Sequence, residues 1–89
     1  MEVFYKELNP SFNVIDLRDR YEYNAGHYTN SINIPYRELL NNPSRYLNKN
    51  MKYYLYCTSG IRSKRATELL SLIGYNVVNV KDGYQNKLF

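Results

Sequence analysis

Tyr53-Tyr54-Leu55-Tyr56-Cys57-Thr58-Ser59-Gly60-Ile61-Arg62-Ser63 reads as a strand, a short polar loop and the first turn of a helix. Tyr53 to Tyr56 is an aromatic and aliphatic run of strand length. Cys57, the only cysteine in the chain, closes it. Beyond the loop, Ala66, Leu69, Leu70 and Ile73 recur at i, i+3, i+4 and i+7, which predicts one apolar face of a helix starting near Arg62 and closed by Gly74. Backbone N–H groups in such a strand-to-helix turn converge on one point, and the helix N-terminus adds partial positive charge there. A thiol held at that point is expected to ionise more readily than a free one.

Outward from this turn, strands alternate with helices. Val3 to Leu8 is weakly patterned and predicts a short edge strand with a turn into Asn9-Pro10. Phe12 to Leu17 is a compact apolar run, read as a buried strand ending at Asp16 and Arg18. Asp19 is placed to cap a short helix through Asn24, which Gly26 ends. Ser31 to Ile34 is a brief strand stopped by Pro35, and two short helices are expected over Tyr36–Asn41 and Pro43–Asn48. After the long helix, Asn76 to Val80 is a β-branched strand, Asp82-Gly83 a turn, and Tyr84 to Phe89 a terminal helical turn. The order predicts an α/β fold of one domain over residues 1–89, with a central, mostly parallel sheet of about four to five strands flanked by helices on both faces. Ligands in such folds bind beyond the carboxyl ends of the strands. Asp16 with Arg18, and Cys57 to Ser63, both fall at such ends.

Composition narrows the function classes. At 89 residues with 44% hydrophobic and 22% charged side chains, the chain suits one small core and not disorder. Eleven tyrosines and no tryptophan let it cover apolar area while keeping polar edges. The net charge of +4 is spread out, apart from Arg62, Lys64 and Arg65, which suits a small anion better than nucleic acid. A solvated helix face is the alternative for Lys64 and Arg65. One cysteine excludes an internal disulfide and a Cys-x-x-Cys redox pair and fits a reducing compartment. The acidic N-terminus is no signal peptide and no segment spans a membrane, so a soluble cytoplasmic protein is expected. One histidine and scattered carboxylates offer no metal-ligand spacing, and no cofactor is expected.

The loop chemistry is that of an anion cradle around sulfur. Gly60 permits a positive φ. Thr58 and Ser59 offer donors with little bulk, Arg62 a planar fork for an oxyanion. Ser63 is placed to cap the helix. On position alone, Cys57 is equally a small buried hydrophobe.

The loop resembles the active-site loop of the rhodanese family. Val14-Ile15-Asp16-Leu17-Arg18 with Tyr21-Glu22-Tyr23, then Ala25-Gly26-His27-Tyr28, then Ser31 to Pro35, and the helix, strand and Asp82-Gly83 turn that follow Cys57 are similar to the family's other signatures, in the same order. Asn30 stands where the family has glycine and is expected to take its left-handed conformation. The resemblance implies a sulfurtransferase. Cys57 would accept a sulfane sulfur, for instance from thiosulfate, as a persulfide and pass it to cyanide or a thiol, small or on a protein. Thr58, Ser59, Gly60, Ile61, Arg62 and Ser63 would bind it through backbone N–H groups. Arg18 either joins them in the pocket or pairs with Asp16 or Glu22. Asp16, Glu22 and His27 are expected to be structural, Asp16 by holding loop N–H groups. Tyr28, Tyr36 and Tyr84 are candidates for the pocket mouth. Two alternatives are a partner-docking module that has lost its chemistry and a cysteine phosphatase or arsenate reductase. Phosphatase loops place one residue more between Cys and Arg than the four here, Thr58 to Ile61. An arsenate reductase relay needs a second cysteine.

Overall fold

Five short strands lie parallel in one sheet, and every one points its carboxyl end toward the same rim. The computed structural model describes residues 2–87; the last two residues of the expected terminal turn, Leu88 and Phe89, lie outside them. The strands are β1 (Glu2–Phe4), β2 (Asn13–Asp16), β3 (Ser31–Asn33), β4 (Lys52–Tyr56) and β5 (Asn76–Lys81). Their order across the sheet is β1-β5-β4-β2-β3, with all pairings parallel. The helices are α1 (Arg20–Ala25), α2 (Tyr36–Asn41), α3 (Pro43–Tyr46) and α4 (Ile61–Leu72). Short 3₁₀ turns occupy Tyr5–Glu7 and Tyr84–Asn86. The expected α/β architecture is therefore present, with five strands and the weakly patterned N-terminus on an edge.

The central strands are buried on both faces, which is why they read as runs rather than alternations. One face carries Ile15, Leu17, Tyr53, Leu55 and Val77 under α2, α3 and α4, with Leu39, Leu47, Ala66 and Leu70 packed onto them. Val14, Tyr54, Tyr56, Val78 and Val80 form the other face. It is covered by Val3, Tyr5, Leu8, Phe12, Tyr28 and Tyr84, so tyrosine-rich turns take the place of long helices there. Phe12 stacks on Tyr54 with ring centroids 4.1 Å apart, while Tyr5 meets Tyr28, Tyr56 and Tyr84 edge-on.

Helix α4 departs from expectation. Its buried residues are Ser63, Ala66, Thr67 and Leu70, whereas Leu69 and Ile73 are 39% and 53% exposed. The face is rotated toward two polar residues because both are satisfied internally. Thr67 Oγ1 donates to the Ser63 carbonyl at 2.7 Å, and the Ser63 hydroxyl donates to Asn79 Oδ1. A polar side chain with a buried partner can hold a core position that an apolar template assigns elsewhere.

A second correction concerns Asn30. Among the described residues, the only non-glycine residue with positive φ is Asp82. The turn at Asn30 closes through Ser31 instead, whose N–H and hydroxyl both donate to the Tyr28 carbonyl, at 2.8 and 2.7 Å.

Candidate active site

The strand β4 delivers Cys57 to the sheet rim, and α4 begins three residues later at Gly60, the N-cap residue, in a left-handed conformation (φ 89°). That conformation needs glycine twice over. A side chain there is strained, and a Cβ would stand 2.8 Å from the Asp82 backbone nitrogen. Ser63 does not cap the helix as expected; it lies inside the first turn with its hydroxyl turned toward β5.

The cysteine is buried, only 4% exposed. The Gly60 N–H donates to Sγ at 3.1 Å and the Ser63 N–H at 3.4 Å. The thiol in turn donates to Ser63 Oγ at 3.5 Å. Two amides of a twelve-residue helix's first turn thus converge on one sulfur, where the helix's partial positive charge is concentrated.

From the carboxyl side the loop is buckled down by the turn after β5. Tyr84 N–H donates to the Cys57 carbonyl at 2.8 Å and Gln85 N–H to the Thr58 carbonyl at 3.0 Å. Gly83 lies directly beneath, where a Cβ would be 2.6 Å from the Thr58 oxygen and closer still to that of Cys57. The Asp82-Gly83 turn is evident in the sequence, but its grip on the cysteine loop is not, because the two segments meet only through the sheet.

A cavity of about 320 Å³ opens beside the sulfur, lined by Arg18, Asp19, Tyr21, Glu22, Cys57, Thr58, Ser59 and Arg62. The rims of β2 and β4 therefore do converge. Thr58, Ser59 and Arg62 face this space. Ile61 does not; it is 75% exposed and lines a separate depression with Gly60, Lys64 and Arg65. Arg62 is exposed at the mouth and also borders a neighbouring hollow with Tyr36 and Arg37. Tyr84 lines a shallow hollow on the other side with Arg18, and Tyr28 packs inside the aromatic face.

Asp16 holds one loop amide, Arg18 N–H, at 2.8 Å. Its larger role is as the acceptor for a buried cluster. Arg18 Nη2 donates to Asp16 Oδ2 at 2.8 Å and to the Gly26 carbonyl at 2.6 Å. The Tyr56 hydroxyl donates to the same Oδ2 at 2.7 Å and accepts from the Tyr28 N–H. Arg18 pairs with Asp16, not Glu22, while its guanidinium lies 4.1 Å above the Tyr84 ring and its side chain forms a wall of the cavity. Burial works against the Arg18 charge, but the hydrogen bond and the charge of Asp16 outweigh it, and the guanidinium is held above its ordinary range. Burial raises the Tyr56 phenol far above the usual tyrosine range; its hydrogen bond to Asp16 reinforces this against the opposing contact with Ser31.

Glu22 closes the capping box of α1 by accepting Asp19 N–H at 3.3 Å, and it accepts the Thr58 hydroxyl at 3.4 Å. His27 is stacked on Tyr23 with Nδ1 2.7 Å from the Tyr23 carbonyl, and it does not line the cavity at Cys57. Nothing local to Asn79 marks it as a site residue, yet one signal exists: it is the polar interruption of a valine run, Val77-Val78-Asn79-Val80. Among the described residues no group of three or more His, Cys, Asp or Glu is placed to hold a metal ion, and no helix is long and apolar enough to cross a membrane.

The family model for the rhodanese-like domain matches residues 2–86. A tRNA uridine(34) hydroxylase of Buchnera aphidicola is 38% identical over 76 residues, which is 79% of this chain and 24% of that protein. The Photorhabdus laumondii protein of the same name is 37% identical over 81 residues, 84% of this chain and 23% of its own length. The chain thus spans about a quarter of these curated relatives. Among solved structures, a rhodanese-related protein from Thermoplasma volcanium is 38% identical with a TM-score of 0.79, covering 88% of this chain and 77% of that one. A rhodanese-like domain protein from Staphylococcus aureus superposes with a TM-score of 0.83 at 27% identity, covering 97% and 89%.

Proposed function

Because the chain belongs to the rhodanese-like family, we propose that it transfers sulfane sulfur, with Cys57 as the carrier. The observation that carries this reading is the pair of amides, Gly60 and Ser63, aimed at one buried sulfur at 3.1 and 3.4 Å. Such donors favour an anion at that point and present no side chain that would displace it. With thiosulfate as donor, the Cys57 thiolate attacks the outer sulfur. The new S–S bond forms as the donor's S–S bond breaks, and sulfite leaves with the electron pair. An acceptor nucleophile, cyanide or a thiolate, then takes the outer sulfur and returns Cys57 as thiolate. No redox partner is required, and no second cysteine. Arg62 at the cavity mouth meets the anionic part of the donor, while Thr58, Ser59 and the wall formed by Arg18 bound it. Four residues between Cys57 and Arg62 make a smaller ring than a phosphoryl group needs, which speaks against phosphatase chemistry.

Intact mass after incubation with thiosulfate tests the proposal. One added sulfur on Cys57, removed by cyanide as thiocyanate, is the expected result, and Cys57→Ser abolishes it with little change in melting temperature. A folded, reduced protein that gains no sulfur overturns it.

The names of the curated relatives support a second reading, in which this domain is the rhodanese-like part of a tRNA-modifying activity. Hydroxylation of uridine in unmodified tRNA, assayed by nucleoside mass spectrometry and dependent on Cys57, would favour it over free sulfur transfer.

A further inference from the structure

We infer that Cys57 is held as a resting thiol by a one-directional hydrogen-bond chain, Cys57–Ser63–Asn79–Glu2, and that Asn79 and Glu2 are positioning residues whose hold on the Ser63 hydroxyl must be released when the sulfur carries charge.

The direction of the chain follows from what each group can donate. Glu2 lies opposite Asn79 in the β1–β5 register. Its carboxylate only accepts, so Asn79 presents Nδ2, at 2.7 Å, and its Oδ1 turns inward. Oδ1 also only accepts, so the Ser63 hydroxyl must donate to it. Ser63 has one hydroxyl proton, and it is committed. Toward Sγ, 3.5 Å away, Ser63 therefore offers only lone pairs, and the sulfur facing them satisfies them by keeping its proton. The Gly60 and Ser63 amides donate to the same sulfur from other directions.

Loss of that proton changes the balance. A thiolate, or the proton-free Sγ of a persulfide, faces a Ser63 lone pair. Rotation about the Ser63 Cβ–Oγ bond lets the hydroxyl donate to sulfur, but strands Asn79 Oδ1. Ser63 is fully buried and Asn79 is 2% exposed, so water does not replace the lost partner. The amides pull toward the anion while this chain pulls toward the thiol, and the hydroxyl rotor sets which wins. Applied to the persulfide, the inference rests on Cys57 being the sulfur carrier; applied to the thiol it does not.

Charged or titratable groups facing the sulfur's cavity are Arg18, Asp19, Tyr21, Glu22 and Arg62. Tyr56 precedes Cys57 on β4, and Lys64, Arg65, Glu68, Lys81 and Asp82 border the hollow at the Glu2 end. Every one of these is retained in the variants below.

The test is the pH profile of Cys57 alkylation by iodoacetamide, read by intact mass on the full chain. In Asn79→Leu the Ser63 hydroxyl is free to donate to the anion. Half-maximal alkylation is expected about one pH unit lower than in wild type, with roughly tenfold faster reaction below the midpoint. Glu2→Gln, at the exposed sheet edge, loosens the orientation of Asn79 and shifts the midpoint the same way by less. It carries the same test should Asn79→Leu fail to fold. In a Ser63→Ala background neither replacement moves the midpoint. A shift that persists without the Ser63 hydroxyl, or an unchanged or raised midpoint in folded Asn79→Leu and Glu2→Gln, overturns the inference. Failure of the wild type to load sulfur would remove the carrier role of Cys57 and leave this alkylation pattern standing.

Discussion

Asp16 and Arg18, two residues apart at the end of β2, form a buried ion pair with Nη2 2.8 Å from Oδ2. Asp16 is fully buried and Arg18 is 6% exposed. In the sheet register Asp16 lies beside Tyr56, the residue before Cys57, and its carboxylate takes the Tyr56 hydroxyl as well. One carboxylate therefore ties the cavity wall, through Arg18, to the strand that carries the cysteine.

Replacing Asp16 with Asn is expected to cost about 3–5 kcal/mol of unfolding free energy, because it leaves the Arg18 charge buried without its partner. Tyr56→Phe, which removes a hydroxyl that donates to Asp16 and accepts the Tyr28 N–H, should cost about 1–3 kcal/mol. Urea unfolding of both variants and the double mutant checks this, and the two losses should be non-additive because they share one carboxylate.

The phenols of Tyr56 and Tyr5 are both raised, in each case first by burial. A raised phenol keeps its proton in the folded state after the unfolded chain has lost it. Below the ordinary tyrosine range, both states bind the proton and stability does not depend on pH through these groups. Above about pH 10, the unfolded state ionises first and stability falls as pH rises. Arg18, also raised, adds to the loss in the same direction at still higher pH. Spectrophotometric titration should therefore show Tyr56 ionising only as the fold is lost, and Tyr56→Phe should remove that late step.

Gly83→Ala should open the clamp on the cysteine loop. The glycine has φ 61° and ψ −155°, a region side chains avoid. The new Cβ would also press on the Cys57 and Thr58 carbonyls that Tyr84 and Gln85 bind. A loss of about 2–4 kcal/mol in thermal or urea unfolding is expected, together with a fall in sulfur loading at temperatures where the variant remains folded.

Arg62→Ala should leave the melting temperature within a degree or so, since the residue is exposed. For an anionic sulfur donor, KM is expected to rise about tenfold, the loss of one charge-assisted contact. Arg62→Lys should recover only part of it, because an ammonium lacks the planar fork. Steady-state kinetics at two salt concentrations would show the wild-type advantage shrinking as salt rises.

Much of the architecture is legible in the sequence. The runs at Phe12–Leu17, Tyr53–Tyr56 and Asn76–Val80 became β2, β4 and β5, and Asp19, Pro43 and Gly74 mark helix ends as their backbone preferences require. The apolar spacing places the α4 face at Leu69 and Ile73 because it assigns no inward position to Ser63 or Thr67, whose suitability depends on acceptors elsewhere.

The parallel α/β order, the lone thiol at a strand-to-helix turn and the four-residue spacing to Arg62 can all be read along the chain, because they follow from local periodicity, turn chemistry and counting. Which distant groups surround that thiol is set by how the strands and turns pack together. Glu2 reaches Asn79 across 77 positions of sequence, Tyr56 reaches Asp16 across 40, and the turn at Gly83 lies under the Cys57 carbonyl. Hydrogen-bond direction and buried charge pairing arise from strand register and close approach, and no local pattern along the chain encodes them.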